Sequence, residues 1–235
     1  MSEEFEAFME LYSGLPREGP GTVDSLLNVL EIADTPPLGR VLDAACGSGA
    51  DCVSLSRALP NVELIGIEQQ EAFINAAKAR GIHADFRVGD MLWPEGEFDL
   101  IWCAGAVYFV GVETALEAWR SHLRLNGKIA LSELVWTAQP SSDAKAFWQD
   151  AYPQMDSKNR FAARIEACGF NILSAEPLGR AGWEDYYNAL RKNVAHLKGQ
   201  SDVMDTVCAE TEAEIAIYDA HFGEFDYVLY LVEPV

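Results

Sequence analysis

The stretch that decides the fold runs from Arg40 to Ser56 and reads RVLDAACGSGADCVSLS. Its first residues after the arginine are a short apolar run of the kind that forms a strand buried on both faces. A small-residue turn with Gly47 and Gly49 follows, and the apolar spacing after it predicts a helix. A strand, such a turn and a helix let the backbone approach a ligand closely and direct the free amides of the helix at it.

An acid, Asp43, stands between the strand and the turn. A dinucleotide-binding turn has the pattern G-x-G-x-x-G, whereas this chain has Cys52 at the third glycine position, so that pattern fails. A carboxylate at Asp43 suits a cationic ligand group, such as the amino group of S-adenosylmethionine (SAM), better than a pyrophosphate.

Two further acids follow predicted strand ends. The second predicted strand, residues 62–68, ends in Glu68. In a doubly wound sheet this end lies beside the first turn, where a carboxylate accepts hydrogen bonds from both hydroxyls of a ribose. Glu68 is therefore expected near the same ligand. Asp90 and Met91 come directly after the third predicted strand, which spans about residues 83–88.

The fourth predicted strand ends at Cys103 and is followed by Ala104, Tyr108 and Phe109. Ligands of open α/β sheets bind outside the carboxyl ends of the strands, at the point where the strand order reverses. We therefore expect this segment to face a bound cofactor or substrate. The two aromatic side chains could equally belong to the core, because large aromatic residues are usually mostly buried.

Glu133 lies near the end of the fifth predicted strand, residues 128–135, among apolar neighbours. A carboxyl group in such surroundings is costly unless it is used or paired. It could act as a general base or bind an amine of a substrate. The alternative is a strand end that is salt-bridged or solvated.

Composition narrows the possible partners. The 235 residues carry a formal net charge of −20, which repels phosphate backbones and anionic lipid surfaces, so we expect neither nucleic acid nor membrane as a partner. Five cysteines without a C-x-x-C pattern predict no metal site and no disulfide framework. The acidic first residues differ from a signal peptide, and a cytoplasmic protein is expected.

The segment from Asp43 to Gly49 resembles motif I of the class I SAM-dependent methyltransferases, which reads roughly acid-x-G-x-G-x-G; Ala45 replaces the first glycine. Glu68 and Asp90 stand where this family has acids for the ribose and the adenine amino group. More narrowly, the chain resembles a bacterial group of small-molecule methyltransferases, distantly similar to the enzymes of ubiquinone and menaquinone biosynthesis.

Three segments carry the narrower resemblance. They are SGLPREGPG at residues 13–21, Ser132-Glu133-x-x-Trp136 after the fifth strand, and FWQDAYP at residues 147–153. One departure is Ala104, because the group often has a glutamate there; if that glutamate touches the substrate, this chain would differ from the group in substrate or competence.

The resemblance implies a doubly wound, Rossmann-like α/β fold with a seven-stranded, mostly parallel sheet whose last strand is antiparallel. Residues 1–235 would form a single SAM-dependent methyltransferase domain. Residues 1–35 and an unusually long helical insertion before the last strand, residues 180–222, would cap the site. Caps of this kind close over small substrates and exclude water.

The resemblance and the residue patterns together predict a set of site residues. Glu133 is the first candidate for the base, and Tyr12 and Tyr108 are expected to orient the acceptor. The cofactor would be held by Arg17, Asp43, Ala45, Cys46, Gly47, Gly49, Asp51, Glu68, Gln69, Asp90, Met91 and Cys103. The substrate pocket would be lined by Ala104, Tyr108, Trp136, Trp148, Tyr152 and Tyr187.

The expected activity is methyl transfer from SAM to a small-molecule acceptor at an unassigned O, N or C atom, with S-adenosylhomocysteine (SAH) as product, by a monomer or homodimer. A SAM-binding sensor or partner subunit without catalysis is the alternative, and Ala104 mildly favours it. An NAD-linked oxidoreductase is a third interpretation, against which Cys52 and Asp43 argue.

Overall fold

A computed structural model describes residues 2–235, in which seven strands form one sheet. The strand order is β3-β2-β1-β4-β5-β7-β6, and only β7 runs antiparallel to its neighbours. This arrangement confirms the predicted sheet, including its antiparallel last strand. The strands are β1 (Arg40–Ala44), β2 (Glu63–Glu68), β3 (Asp85–Val88), β4 (Phe98–Ala104), β5 (Leu123–Trp136), β6 (Phe170–Pro177) and β7 (Phe225–Pro234).

Nine α-helices and one short 3-10 turn, Val107–Phe109, accompany the sheet in the described part of the chain. Several begin at a serine or threonine whose side chain accepts a backbone amide, as Thr22, Ser141 and Ser201 do. The helices are α1 (Glu3–Tyr12), α2 (Val23–Ala33), α3 (Ala50–Ala58), α4 (Glu71–Ala79), α5 (Val112–Arg120), α6 (Ser142–Ala151), α7 (Lys158–Ala167), α8 (Gly179–Leu197) and α9 (Asp202–His221).

The sheet has a buried core on each of its faces. One core lies under α5 and α7 and contains Trp119 and Phe161; the other lies under α2, α3 and α4 and contains Leu26 and Leu55. Both faces of the central strands are covered, which explains why the strand segments are apolar throughout rather than alternating.

A third core lies between helices α1, α8 and α9, which are together called the cap below. Helix α1 packs against α8 and α9, and the cluster between them includes Leu11 and Trp183. The side chain of Asn193 on α8 donates hydrogen bonds to the backbone oxygens of Leu11 at 2.7 Å and Ser13 at 3.2 Å. The chain after α1 is therefore tied to the insertion that precedes β7, while α2 packs against α3 instead.

Strand β5 is longer than the sequence pattern predicts. It begins at Leu123, before the predicted start at residue 128, and inside it Asn126 has a φ of 64° and the register with β4 shifts between Phe98 and Leu100. An asparagine tolerates this left-handed conformation better than most residues, so the strand passes through an irregularity instead of starting after a turn.

No helix formed by residues 2–235 combines the length and the apolar character that a membrane crossing requires.

Candidate active site

A cavity of about 820 Å³ lies between the carboxyl ends of the central strands and the cap. It has the size that small-ligand sites usually have. The order β2-β1-β4-β5 places the reversal of strand order between β1 and β4, where ligands of such sheets bind. Fifteen of the predicted site residues line it, namely Tyr12, Arg17, Asp43, Ala45, Cys46, Gly47, Asp51, Glu68, Gln69, Met91, Ala104, Tyr108, Glu133, Trp148 and Tyr152.

The loop after β1 brings its backbone to the wall of this cavity. Ala45, Gly47 and Gly49 have φ angles of 60°, 52° and 81°. The left-handed conformation costs a non-glycine residue about 1 kcal/mol, which Ala45 bears. A Cβ atom on Gly47 would lie 2.6 Å from Glu18 Oε2, so a larger residue at this position would displace the Glu18 carboxylate from the loop.

The segment between α1 and α2 lies across this loop. Glu18 Oε2 accepts the backbone amide of Ser48 at 3.2 Å. Arg80, at the end of α4, donates to the Ser48 oxygen and, at 3.1 Å, to the oxygen of Pro16. Burial raises the pKa of Glu18, and its hydrogen bonds to Ser48 oppose that shift. Residues 16–18 are thus fixed over the glycine-containing turn, and Arg17 and Glu18 form part of the cavity wall.

The carboxyl groups of Asp43 and Asp51 and the guanidinium of Arg17 lie close together beneath this segment. Asp43 is buried and accepts the Cys52 thiol at 3.1 Å. Burial, followed by the nearby Asp51 carboxylate, holds the pKa of Asp43 well above its usual range. Asp51 itself accepts the indole N–H of Trp102 at 3.0 Å and pairs with Arg17 at 3.4 Å. A cationic group in the cavity would relieve the repulsion between these carboxylates.

Glu68 ends β2 on the other side of the loop. Its Oε2 accepts the amide of Gly47 at 3.2 Å, and its Oε1 accepts the amide of Gln70 at 2.9 Å. These bonds fix the carboxylate at the rim of the cavity while each oxygen keeps a lone pair free. The residue can therefore accept two further hydrogen bonds from a ligand.

Glu133 occupies the far end of the cavity, on β5. Its side chain is only 2% exposed, and Oε1 accepts the amide of Leu134 at 2.8 Å. Burial raises its pKa to about 7, while that amide and the nearby Tyr152 hydroxyl favour the charged form. A carboxyl group with this pKa exchanges a proton readily near neutral pH, as a general base must.

Aromatic side chains of the cap and of the sheet surround the Glu133 end. The hydroxyls of Tyr12 and Tyr186 lie 3.1 Å apart, and burial raises the pKa of Tyr12 to about 12. Tyr108 and Tyr152 meet edge to face at 5.9 Å. Tyr108 and Phe109 are 39% and 71% exposed, so they are cavity and surface residues and not members of the core.

Five predicted residues do not line the cavity. Gly49 faces Ala77 on α4 and Phe86 on β3, and Asp90 is exposed and accepts the amide of Leu92. The other three lie behind the wall: Cys103 is in the core, Trp136 packs on Phe225, and Tyr187 is buried with its hydroxyl on Glu214.

The structure adds lining residues that no sequence motif indicated. They come mainly from α1, α8 and α9 and from β7, segments whose apolar spacing shows which face is buried but not which buried side chains border a cavity. They include Phe5, Phe8, Met9, Glu18, Phe73, Trp183, Tyr186, Glu214 and Tyr227. Glu18 belongs to the SGLPREGPG segment, but the sequence indicated no role for it.

The arrangement fits a nucleoside with a charged tail. Glu68 offers free acceptors for ribose hydroxyls, the loop offers the close backbone approach at Gly47, and the Asp43, Asp51 and Arg17 group offers both signs of charge for an amino-acid moiety. The cavity then continues from this half to Glu133, so a second molecule has room beside the first.

Comparison with known proteins identifies relatives in sequence and in structure. Residues 41–127 match the family model described as "Methyltransferase domain". A trans-aconitate 2-methyltransferase from Deinococcus radiodurans is 29% identical over 98 residues. That match spans 40% of this chain and 38% of the curated relative, well under two thirds of its length.

Solved structures resemble the whole chain. A SAM-dependent methyltransferase from Geobacter sulfurreducens, in complex with SAH, has a TM-score of 0.83 at 20% identity and covers 98% of each chain. Geranyl diphosphate C-methyltransferase from Streptomyces coelicolor A3(2) has a TM-score of 0.63 at 18% identity, over 90% of this chain and 79% of that one. The predicted fold and the resemblance to class I SAM-dependent methyltransferases are confirmed.

Proposed function

We propose, from the methyltransferase domain at residues 41–127 and the cavity at the carboxyl ends of the strands, that this protein transfers the methyl group of SAM to a small-molecule acceptor. One observation carries the proposal. A single cavity joins the hydrogen-bonded Glu68 and Gly47 at one end to the buried Glu133 at the other.

The end of the cavity that contains Glu68 and Asp43, here called the cofactor half, binds the methyl donor SAM. Glu68 accepts the ribose hydroxyls, and the amides of the β1–α3 loop face the amino-acid part together with Asp43 and Arg17. Met91 and Phe73 border the same half and offer apolar surface to the adenine. SAM supplies an electrophilic methyl group on a sulfonium, and SAH remains after transfer.

The end of the cavity that contains Glu133, here called the acceptor half, positions the acceptor and removes its proton. The reaction is a displacement at the methyl carbon, so holding the acceptor in line with the donor and excluding water contribute much of the acceleration. Glu133 removes the proton from the acceptor atom, and the tyrosines around it fix the orientation of the acceptor. Ala104, in place of a glutamate, leaves Glu133 as the carboxyl group at the ends of β4 and β5 that borders this half.

The identified relatives point to small acceptors, and their names include two anions, trans-aconitate and geranyl diphosphate. Among the residues that line the cavity, Arg17 is the only lysine or arginine, and it is paired with Asp51. Among the described residues that line the cavity, a strongly anionic acceptor therefore finds no free cation. A monomeric or homodimeric state and a cytoplasmic location stay predictions from the sequence.

Calorimetric titration with SAM and SAH tests the donor site. We expect micromolar binding of both, weakened about 10-fold to 100-fold in Glu68→Ala because hydrogen bonds to a carboxylate contribute about 1.5–3 kcal/mol. Glu63→Ala is the matched control, since Glu63 starts the same strand and is exposed at the opposite end. NADH serves as the control ligand and should not bind.

No binding of SAM or SAH by the folded protein would contradict the proposal. Tight binding of both ligands with no methylated product from any acceptor would instead favour the sensor or partner-subunit alternative. Product formation that stops in Glu133→Gln, with SAH affinity retained, would support catalysis.

A further inference from the structure

Two acids, the buried Glu133 and the half-buried Glu214, face the acceptor half of the cavity from opposite layers of the fold. Glu133 comes from β5 in the sheet and Glu214 from α9 in the cap, and both line the cavity. Burial raises the pKa of each. The acids of the cofactor half are close to Arg17, whereas these two stand at the other end of the cavity.

Among residues 2–235, no free cation neutralises either acid. Glu214 Oε1 accepts the Tyr187 hydroxyl at 2.7 Å, and Glu133 accepts a backbone amide. Arg164 is the cation that acts on Glu133, but it is held by both carboxylate oxygens of Glu113 at 2.6 and 2.8 Å. Burying carboxyl groups without a counter-charge is costly, so the site is set up to gain from a ligand that brings one.

Aromatic rings fill the space between the two acids. Seven of them line this part of the cavity, namely Tyr12, Tyr108, Trp148, Tyr152, Trp183, Tyr186 and Tyr227. The faces of such rings attract a cation within about 6 Å and favour ammonium groups in particular. The same faces, together with two carboxyl groups, repel a carboxylate or a phosphate.

We propose that the acceptor is an amine on an apolar, ring-sized scaffold, bound as its ammonium ion between Glu133 and Glu214 and methylated on nitrogen. This inference rests on the proposed methyl transfer and names the substrate class of that same site. The aromatic rings alone would admit a neutral apolar molecule; the two acids without counter-ions are what favour the amine.

The proton balance follows from burial. An ammonium and a carboxylate that meet in a site of low polarity gain by exchanging a proton, because neutral forms are favoured there. The ammonium gives its proton to Glu133 and becomes a neutral amine with a free lone pair. That pair forms the new N–C bond to the methyl carbon, and the C–S bond breaks with its electrons on sulfur, which yields SAH. The product leaves as a methylated ammonium ion, and Glu133 then releases its proton to solvent.

Probes that share one aromatic scaffold and carry a cationic, neutral or anionic end group test the inference. The SAH-saturated protein is titrated calorimetrically at pH 7.5 with phenethylamine, 2-phenylethanol and 3-phenylpropanoate, and again with tryptamine, indole-3-ethanol and indole-3-propanoate. We expect the amine of at least one series to bind about 10-fold or more tightly than its neutral and anionic counterparts, since a charge-assisted contact contributes more than about 1.4 kcal/mol.

The variant Glu214→Gln should remove most of this preference by weakening the binding of the amine more than that of the neutral probe, while SAH in the cofactor half keeps its affinity. Glu210→Gln is the matched control, because Glu210 lies on the same helix and is exposed. Incubation with SAM and mass spectrometry of the bound amine should show a methyl group on nitrogen.

Equal or tighter binding of the neutral or anionic probes, or no preference in either series, would overturn the assignment of an amine. Since SAH binding is measured in the same protein, failure of this inference with SAH bound is distinct from failure of the proposed function, in which SAH would not bind at all.

Discussion

Glu18 and Ser48 connect the segment after α1 to the loop after β1, through a 3.2 Å hydrogen bond from the Ser48 amide to Glu18 Oε2. Because Ser48 also binds Arg80 through its oxygen and hydroxyl, the loop is held from two sides. Part of the donor site is thus built by residues about 30 positions apart, and the N-terminal segment contributes to it directly.

We expect Glu18→Gln to weaken SAH binding about 10-fold. A neutral amide oxygen is a weaker acceptor than a carboxylate, so the loop would be held less firmly in the geometry that approaches the ligand. Isothermal calorimetry measures the effect. Glu31→Gln, on the exposed face of α2, should leave the affinity unchanged, and an unaltered affinity in both variants would show that this bond does not order the site.

Turnover should rise with pH through about 7. Only the carboxylate form of Glu133 accepts a proton, and burial places its pKa at about 7. At pH 6, kcat/KM should therefore be about tenfold below its plateau. In Glu133→Gln, kcat should fall by a factor of about 10² to 10⁴ with SAH affinity retained. A variant with normal turnover would exclude Glu133 as the base.

Glu133 should also make stability depend on pH. Its pKa is about 4.5 in the unfolded chain and about 7 in the folded protein, so between these values the folded state binds more protons. The free energy of unfolding must then fall as pH rises from about 4.5 to about 7, by a contribution on the order of 3 kcal/mol.

Urea unfolding of the native protein and of Glu133→Gln at pH 5 and pH 8 measures this contribution. The stability of the variant relative to the native protein should increase by a few kcal/mol between the two pH values. Glu176→Gln, an exposed substitution in β6, provides the baseline. A relative stability that does not change with pH would mean that Glu133 titrates normally in the folded state.

Asn193→Ala should accelerate ligand release. The substitution removes the two hydrogen bonds that tie the end of α1 and the following segment to α8, while the packing of α1 remains. We expect faster amide exchange in residues 3–15 and faster dissociation of SAH in stopped-flow experiments, with little change in melting temperature. Lys192→Ala, at the exposed neighbouring position, is the control, and equal rates in both variants would argue against this tether.

Much of the cofactor half could be predicted because its residues lie at the ends of successive strands along the chain. Asp43 and Glu68 each end an apolar strand, and parallel strands bring their carboxyl ends to one edge of the sheet. Gly49 belongs to the same motif, yet it faces α4 and β3 instead of the cavity, because a motif identifies a turn but not which of its glycines faces a ligand. Asp90 follows a strand in the same way and is exposed.

The acceptor half could be predicted only in part. Glu133 was indicated by a charge in an apolar strand, but Glu214 lies on a helix rich in acids, where nothing in the spacing separates it from exposed neighbours. Trp136 and Tyr187 are conspicuous aromatics that lie behind the wall, whereas Tyr186, next to one of them, borders the cavity. Only the packing of α1, α8 and α9 decides between these positions.

The position of β7 in the sheet limits the order in which the chain can fold during synthesis. Because β7 pairs with both β5 and β6, residues 170–177 have no strand partner until residues 225–234 have been made. The two helices that form much of the cap lie between them and are anchored at both ends only then. The first five strands can assemble earlier, so we expect the nascent chain to form its nucleoside-recognising edge well before it can enclose an acceptor.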